Sequence, residues 1–322
     1  MKPIPLFIAK DASDLAQWLL QQVSQARIDA QDQVNNLYAI IDTPRLQERG
    51  TVEDLLKPFR DAAPIVNLYG DFGGHSIASD GPRLIAVPLG SMDLLHALCT
   101  WSVEAQAVSF LYGVSSFENL SAHLQHLREV TLPDGTLSLF RYQDTYVTYT
   151  LAELLKNNQA DVLLGTLTAW VTINPCQQVR TIVHGYAFRL DRAPRTPQRF
   201  SITENQLTAL SEKLRVPQIR ARVMEVDATL LQGKSSCEIY QGLADGIEKA
   251  TELGLRNSRD IELYSILRLQ LPNGFEKQPP FHSIFSKMKV VQQPSFWSQV
   301  ETIRSEQWEG LSLWAAGVSQ AK

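Results

Sequence analysis

Four charged residues sit where apolar runs of this sequence start or stop. Asp42 closes the run Leu37-Tyr-Ala-Ile-Ile41, Arg83 opens Leu84-Ile-Ala-Val87, and Arg141 and Asp144 flank the second strand of a hairpin over 130–142. Strand ends of α/β sheets are where active sites gather, so an acid–arginine set there suits a small-molecule or phosphate-ester hydrolase. The same residues also suit an ion-pair network that fixes loops, and Asp42 is placed to cap a helix starting at Pro44. No nucleophile or general base accompanies them. Asp42, Arg83, Arg141 and Asp144 are therefore read as a structural polar cluster, with no catalytic residues expected and the hydrolase kept as the alternative.

Other chemistry fails on spacing. The chain holds no G-x-x-x-x-G-K-[ST], G-x-S-x-G, H-E-x-x-H or C-x-x-C motif. Asp71-Phe72-Gly73 spells a kinase tripeptide but lacks a preceding His-Arg-Asp loop. His123 and His126 stand three apart, the spacing of one helix face, yet no third ligand completes a metal set. Neither a metal nor a cofactor is expected. Cys99, Cys176 and Cys237 have no metal-ligand spacing and read as reduced thiols of a cytoplasmic protein. Near the end of the sequence, Phe296, Trp297, Trp308 and Trp314 are candidate protein-binding residues, since Trp is enriched at interface hot spots. Trp297 with Val300 and Ile303 also fits a buried stripe.

The elements around these residues change character along the chain. With 322 residues, 44% hydrophobic and 20% charged, the protein is globular and long enough for two cores. A net charge of −4 without a basic block excludes a nucleic-acid footprint. No run of 18 apolar residues predicts a membrane span, and the opening Met1–Lys10 is too short and proline-broken for a signal peptide. Helical and strand periods alternate up to about residue 190. Helices are predicted over 13–26, 44–59, 91–101 and 116–130, with strands at 37–42, 65–69, 83–87, 107–112, 165–173 and 179–188. The nearly all-apolar 37–42 run suits a strand covered on both faces in a parallel or mixed sheet. Gly70–His75 reads as a loop, and 130–142 as a β-hairpin turning at Asp134-Gly135. Beyond residue 200 the period is helical throughout. The expectation is an α/β (α+β) mixed-sheet lobe over 1–192, a linker over 193–199 rich in proline and arginine, and an all-helical lobe over 200–322.

The order of these segments resembles the type VI secretion effector chaperone (adaptor) family, first catalogued as a domain of unknown function. The likeness is carried by Leu124-Gln-His-Leu-Arg128, Leu132-Pro-Asp-Gly135 and Phe140-Arg-Tyr-Gln-Asp144, then by Leu163-Leu-Gly-Thr-Leu-Thr-Ala-Trp170. The tail, from Phe200-Ser-Ile-Thr through Ala250-Thr-Glu-Leu-Gly-Leu255, extends it. The resemblance implies a cytoplasmic, non-enzymatic adaptor that holds a cognate secreted toxin and helps load it onto the VgrG spike protein, with neither nucleic acid nor membrane as partner. Its motif residues read as fold determinants, and none is carried over as catalytic.

Overall fold

The computed structural model describes residues 7–29, 36–70, 81–184, 198–287 and 295–320. The Asp71–Gly73 tripeptide, most of the Gly70–His75 loop and residues 193–197 of the expected linker lie outside them. The chain divides into two compact units, Met1–Lys213 and Leu214–Lys322.

In the first unit the apolar runs form strands β1 (Phe7–Ile8), β2 (Asn36–Ile41), β3 (Ile65–Asn67), β4 (Arg83–Val87), β5 (Val108–Gly113), β8 (Leu167–Ile173) and β9 (Gln178–Val183). They build one sheet in the order β1-β9-β8-β5-β2-β4-β3. The mixed α/β class stands as expected, but every described pairing in this sheet is antiparallel. Parallel direction survives only indirectly: β2 runs between β4 and β5 and opposite to both, so those two point the same way. The helix joining them, Met92–Ala105, crosses one face of the sheet, as a connection between like-directed strands must.

Alternation then sorts the side chains. Leu37, Ala39 and Ile41 of β2 face a core shared with α1 (Ala12–Asp29) and α3 (Met92–Ala105). Tyr38 and Ile40 point to the opposite face and are also buried. Burial on both faces explains the unbroken apolar run at 37–41. Each buried Leu or Ile side chain of the run contributes about 1.5–3 kcal/mol.

The helix predicted over 44–59 is instead a 3-10 turn Thr43–Arg49, a five-residue helix α2 (Val52–Leu56) and a second 3-10 turn Lys57–Phe59. Gly50 interrupts it at φ 126°, and Thr51 restarts it by accepting a hydrogen bond from Asp54 N. Helix α4 (Phe117–His126) is capped by Ser116. The hairpin forms with short strands, β6 (Glu129–Thr131) and β7 (Leu137–Leu139). Two helices that periodicity does not reveal follow it, α5 (Thr145–Leu154) and α6 (Asn157–Leu164). The first is rich in Thr and Tyr, residues of β preference. It is helical because Asp144 caps it, accepting from Tyr146 N, and because its Tyr, Thr and Leu side chains pack into the interior.

The first unit continues past the expected boundary. Strand β10 (Phe200–Ser201) pairs with β6 in parallel. Helix α7 (Glu204–Lys213) is fastened through buried Gln206, whose amide exchanges reciprocal hydrogen bonds of 2.8 and 2.9 Å with Gln159 of α6. A third bond, from Gln206 Nε2 to Leu154 O, adds to them. Leaving such buried amides unpaired is costly, so residues 200–213 belong with the sheet rather than with the helices that follow.

The second unit is helical: α8 (Arg215–Asp227), α9 (Ser236–Glu252), α10 (Ser258–Gln270), α11 (Phe281–Lys287), α12 (Phe296–Val300) and α13 (Ser305–Gln320). Pro217 falls in the first turn of α8, where its missing N–H costs nothing. Ser235 and Glu238 form a reciprocal cap for α9. Helices α9 and α10 approach closely at Gly246, where an added Cβ would lie 2.8 Å from Ser265 Cα.

Of the cysteines, Cys99 is a free thiol whose burial pushes its pKa up to about 12. Cys176 and Cys237 are disulfide-bonded, which corrects the expectation of reduced thiols. Spacing along a chain carries no information on disulfide pairing. No helix among the described residues is long and apolar enough to cross a membrane.

Candidate functional site

The end of β2 turns directly into a buried charge cluster. Asp42 follows Ile41 and therefore points to the sheet face opposite α1 and α3. Its carboxylate is fully buried. Oδ2 accepts from Arg45 Nε at 3.1 Å, one turn along the 3-10 segment. Arg45 Nη2 donates to Asp144 Oδ1 at 2.9 Å, and the guanidinium lies 4.7 Å from the Tyr146 ring centroid. Asp144 is thus both the N-cap of α5 and the second carboxylate on Arg45. Arg141 reaches it only at 3.8 Å, from a half-exposed position.

Burial raises the Asp42 pKa, with the neighbouring Asp144 charge adding to it and the Arg45 and Arg141 charges opposing. Its Oδ1 is buried without a hydrogen-bond partner. For Arg45, burial would lower the pKa, but Asp144 and Asp42 outweigh it and the net shift is upward. Beside the cluster, Tyr69 OH donates to Gln143 Oε1 at 3.1 Å, and burial pushes its pKa to about 12. Tyr142 OH is buried without a partner and its pKa lies well above the usual tyrosine value.

Three of the four residues singled out from the sequence therefore converge: Asp42, Arg141 and Asp144. Arg83 does not join them. It pairs in register with Ile41, so its side chain lies on the other face, where it donates to Glu53 Oε1 at 2.8 Å and to Gly81 O. The residue that joins the two acids is Arg45, which sequence reading passed over. Its signal was the i, i+3 spacing from Asp42. Chemically the arrangement clamps the end of β2, the exit of the hairpin and the start of α5.

The second-unit aromatics divide as well. Phe296 is fully buried, stacked on Phe285 at 5.2 Å and tilted against Phe281. It is core, which corrects its place among the protein-binding candidates: a side chain with no exposed surface cannot meet a partner. Trp297, Trp308 and Trp314 are each partly exposed. Trp297 is held by Arg259, whose guanidinium lies 3.9 Å from its ring centroid, and by Nε1 donating to Glu301 Oε1 at 2.6 Å. Trp308 meets Phe281 edge-on, and Trp314 packs on the same core. Leu313 beside it is 76% exposed.

The histidine pair is also separated by environment. His123 lies under Gly165, its Nε2 3.0 Å from Leu163 O, and burial lowers its pKa. No group of three or more His, Cys, Asp or Glu side chains among the described residues is arranged to hold a metal ion.

Residues 37–161 match the model of the family described as "Domain of unknown function (DUF4123)". The match begins at β2 and ends within α6, so it contains the whole Asp42–Arg45–Asp144 cluster and the hairpin. The chain thus carries a DUF4123 domain. No curated protein and no solved structure matches it.

Proposed function

We propose that this protein is an adaptor, a chaperone that holds a type VI secretion effector and helps load it onto the VgrG spike, acting in the bacterial cytoplasm and not as an enzyme. The observation that carries the reading is the DUF4123 match over 37–161, which includes the helix, Leu132-Pro-Asp-Gly135 turn and Phe140–Asp144 segment on which the family resemblance rests. The environment of the strand-end charges supports it. Asp42, Arg45 and Asp144 are spent on one another and on a helix cap, which suits a scaffold. The partly exposed Trp297, Trp308 and Trp314, with Leu313, supply the apolar surface that cargo recognition needs. One feature stands against the cytoplasmic part: the disulfide-bonded Cys176 and Cys237 suit an oxidising compartment better than a reducing one.

The test is a pull-down of the tagged protein from its native cells under active secretion, with mass spectrometry of what accompanies it. One toxin-like protein together with VgrG supports the adaptor reading, and recovery of neither refutes it. The hydrolase reading is kept for one specific reason, the orphaned Oδ1 of buried Asp42. Hydrolysis of p-nitrophenyl phosphate that disappears in Asp42→Asn without loss of folding would favour it instead.

A further inference from the structure

Strand β7 ends the three-stranded sheet β10-β6-β7 among the described residues. Its ladder to β6 is fixed by Leu132 N donating to Thr136 O and Phe140 N donating to Arg128 O, with Ser138 opposite Val130 between them. Positions 136, 138 and 140 therefore bond to β6, and the backbone N–H and C=O of Leu137 and Leu139 point away from it. Ser138 turns its side chain to the face on which Val130 and Phe200 are buried. Leu137 and Leu139 turn theirs to solvent, 45% and 40% exposed.

The strand is self-complementary. Both outward-facing residues are leucine, and Ser138 stands midway between them. A second copy laid antiparallel about a two-fold axis at Ser138 sets Leu137 of each chain opposite Leu139 of the other. Each pair then exchanges both of its backbone hydrogen bonds and brings two leucine side chains together on the outer face. With only two outward positions in the strand, this is the one two-fold register that uses both. The Ser138 residues meet at the axis as a non-hydrogen-bonded pair, where Cα atoms come within about 4.5 Å and a small side chain fits. Charge follows the same axis. Exposed Asp134 at the turn is four residues before Ser138, and half-exposed Arg141 is three residues after it. The two-fold lays the acidic end of each hairpin beside the basic end of the other.

We propose that the β7 edge is a self-association surface, through which two copies of this chain pair β7 against β7 and merge two three-stranded sheets into one of six strands. The interface is isologous, the same patch on both chains. An apolar edge alone accepts any extended segment; the opposite charges at equal reach on either side of Ser138 select a second copy. One short strand makes a small interface, so the dimer is weak and reversible, with a dissociation constant of roughly 10–100 μM. The inference stands on the hairpin alone and is independent of the adaptor reading.

Sedimentation equilibrium of the full-length protein over about 1–300 μM is expected to show a reversible monomer–dimer equilibrium. Leu137→Lys combined with Leu139→Lys changes two exposed side chains, sets like charges against each other across the axis, and is expected to hold the protein monomeric throughout. Arg141→Gln is expected to weaken the dimer by about threefold or more. Ser138→Cys reads the register independently of these variants. Its Sγ meets its own copy across the axis within disulfide reach, so oxidation by copper phenanthroline should join two chains on a denaturing gel. Leu139→Cys, whose own copy lies two positions further along the other strand, should join them about tenfold more slowly. A protein monomeric over the whole range overturns the proposal and leaves the edge to a strand of a different protein. A dimer indifferent to the paired lysines or to Arg141→Gln overturns it as well. So does Ser138→Cys that fails to cross-link, or cross-links no faster than Leu139→Cys.

Discussion

Asp144 holds two jobs at once, and substituting it separates them. In Asp144→Ala, Tyr146 N loses its cap acceptor at 3.0 Å, worth about 1 kcal/mol. Arg45 Nη2 also loses its partner at 2.9 Å, a charge-assisted bond worth about 1.5–3 kcal/mol. The Arg141 contact adds nothing, because at 3.8 Å and half-exposed it is screened. The sum is about 3 kcal/mol, held near the lower end because Arg45 keeps Asp42. Asp144→Asn retains a cap acceptor and removes only the charge, so it should cost about 2 kcal/mol. Urea denaturation followed by tryptophan fluorescence and by far-UV circular dichroism reads both variants as shifts in midpoint at constant slope. A double-mutant cycle with Arg45→Met should give a coupling of about 1.5 kcal/mol or more. Costs below about 0.5 kcal/mol for both variants, or a coupling near zero, would refute the assignment of this cluster as a clamp.

Three further outcomes follow from local geometry. Gly165→Ala should destabilise the protein by about 1–3 kcal/mol in the same urea assay, since φ is +57° and the new Cβ would lie 2.9 Å from the His123 ring. Gly246→Val should lower the thermal midpoint of the helical unit, read by calorimetry, by about 1–3 kcal/mol equivalent, because Ser265 Cα leaves no room between α9 and α10; an unchanged scan refutes that packing. Thiol titration should find no reactive group in the native protein, one after denaturation and three after denaturation with reductant. Three thiols without reductant would show Cys176 and Cys237 reduced and restore the expectation of a reducing compartment.

Much of the fold was legible because burial on two faces leaves a plain mark. The strands at 37–42, 83–87 and 107–112 read as apolar runs because the sheet is covered on both sides, and Asp134-Gly135 marked the hairpin through its turn chemistry. Helices α5 and α6 were illegible, since a Thr- and Tyr-rich segment becomes helical only through the Asp144 cap and its packing. The unit boundary was misplaced for a related reason. The Gln159–Gln206 amide pair is a tertiary contact across 47 residues and leaves no periodic trace.

The sequence by itself determined that strand-end acids and arginines exist, that the first part alternates α and β, and that the remainder is helical. These are local properties, set by side-chain period, caps and turns. Only the tertiary structure decided which charges meet. Strand register set Arg83 on the face opposite Asp42, and a one-residue slip would have reversed that placement. The 3-10 turn brought Arg45 between Asp42 and Asp144, and packing sent Phe296 into the core while leaving Trp297 partly exposed. Pairing partners far apart in sequence are chosen by which buried groups must be satisfied at once, and that condition arises only when the whole unit is assembled.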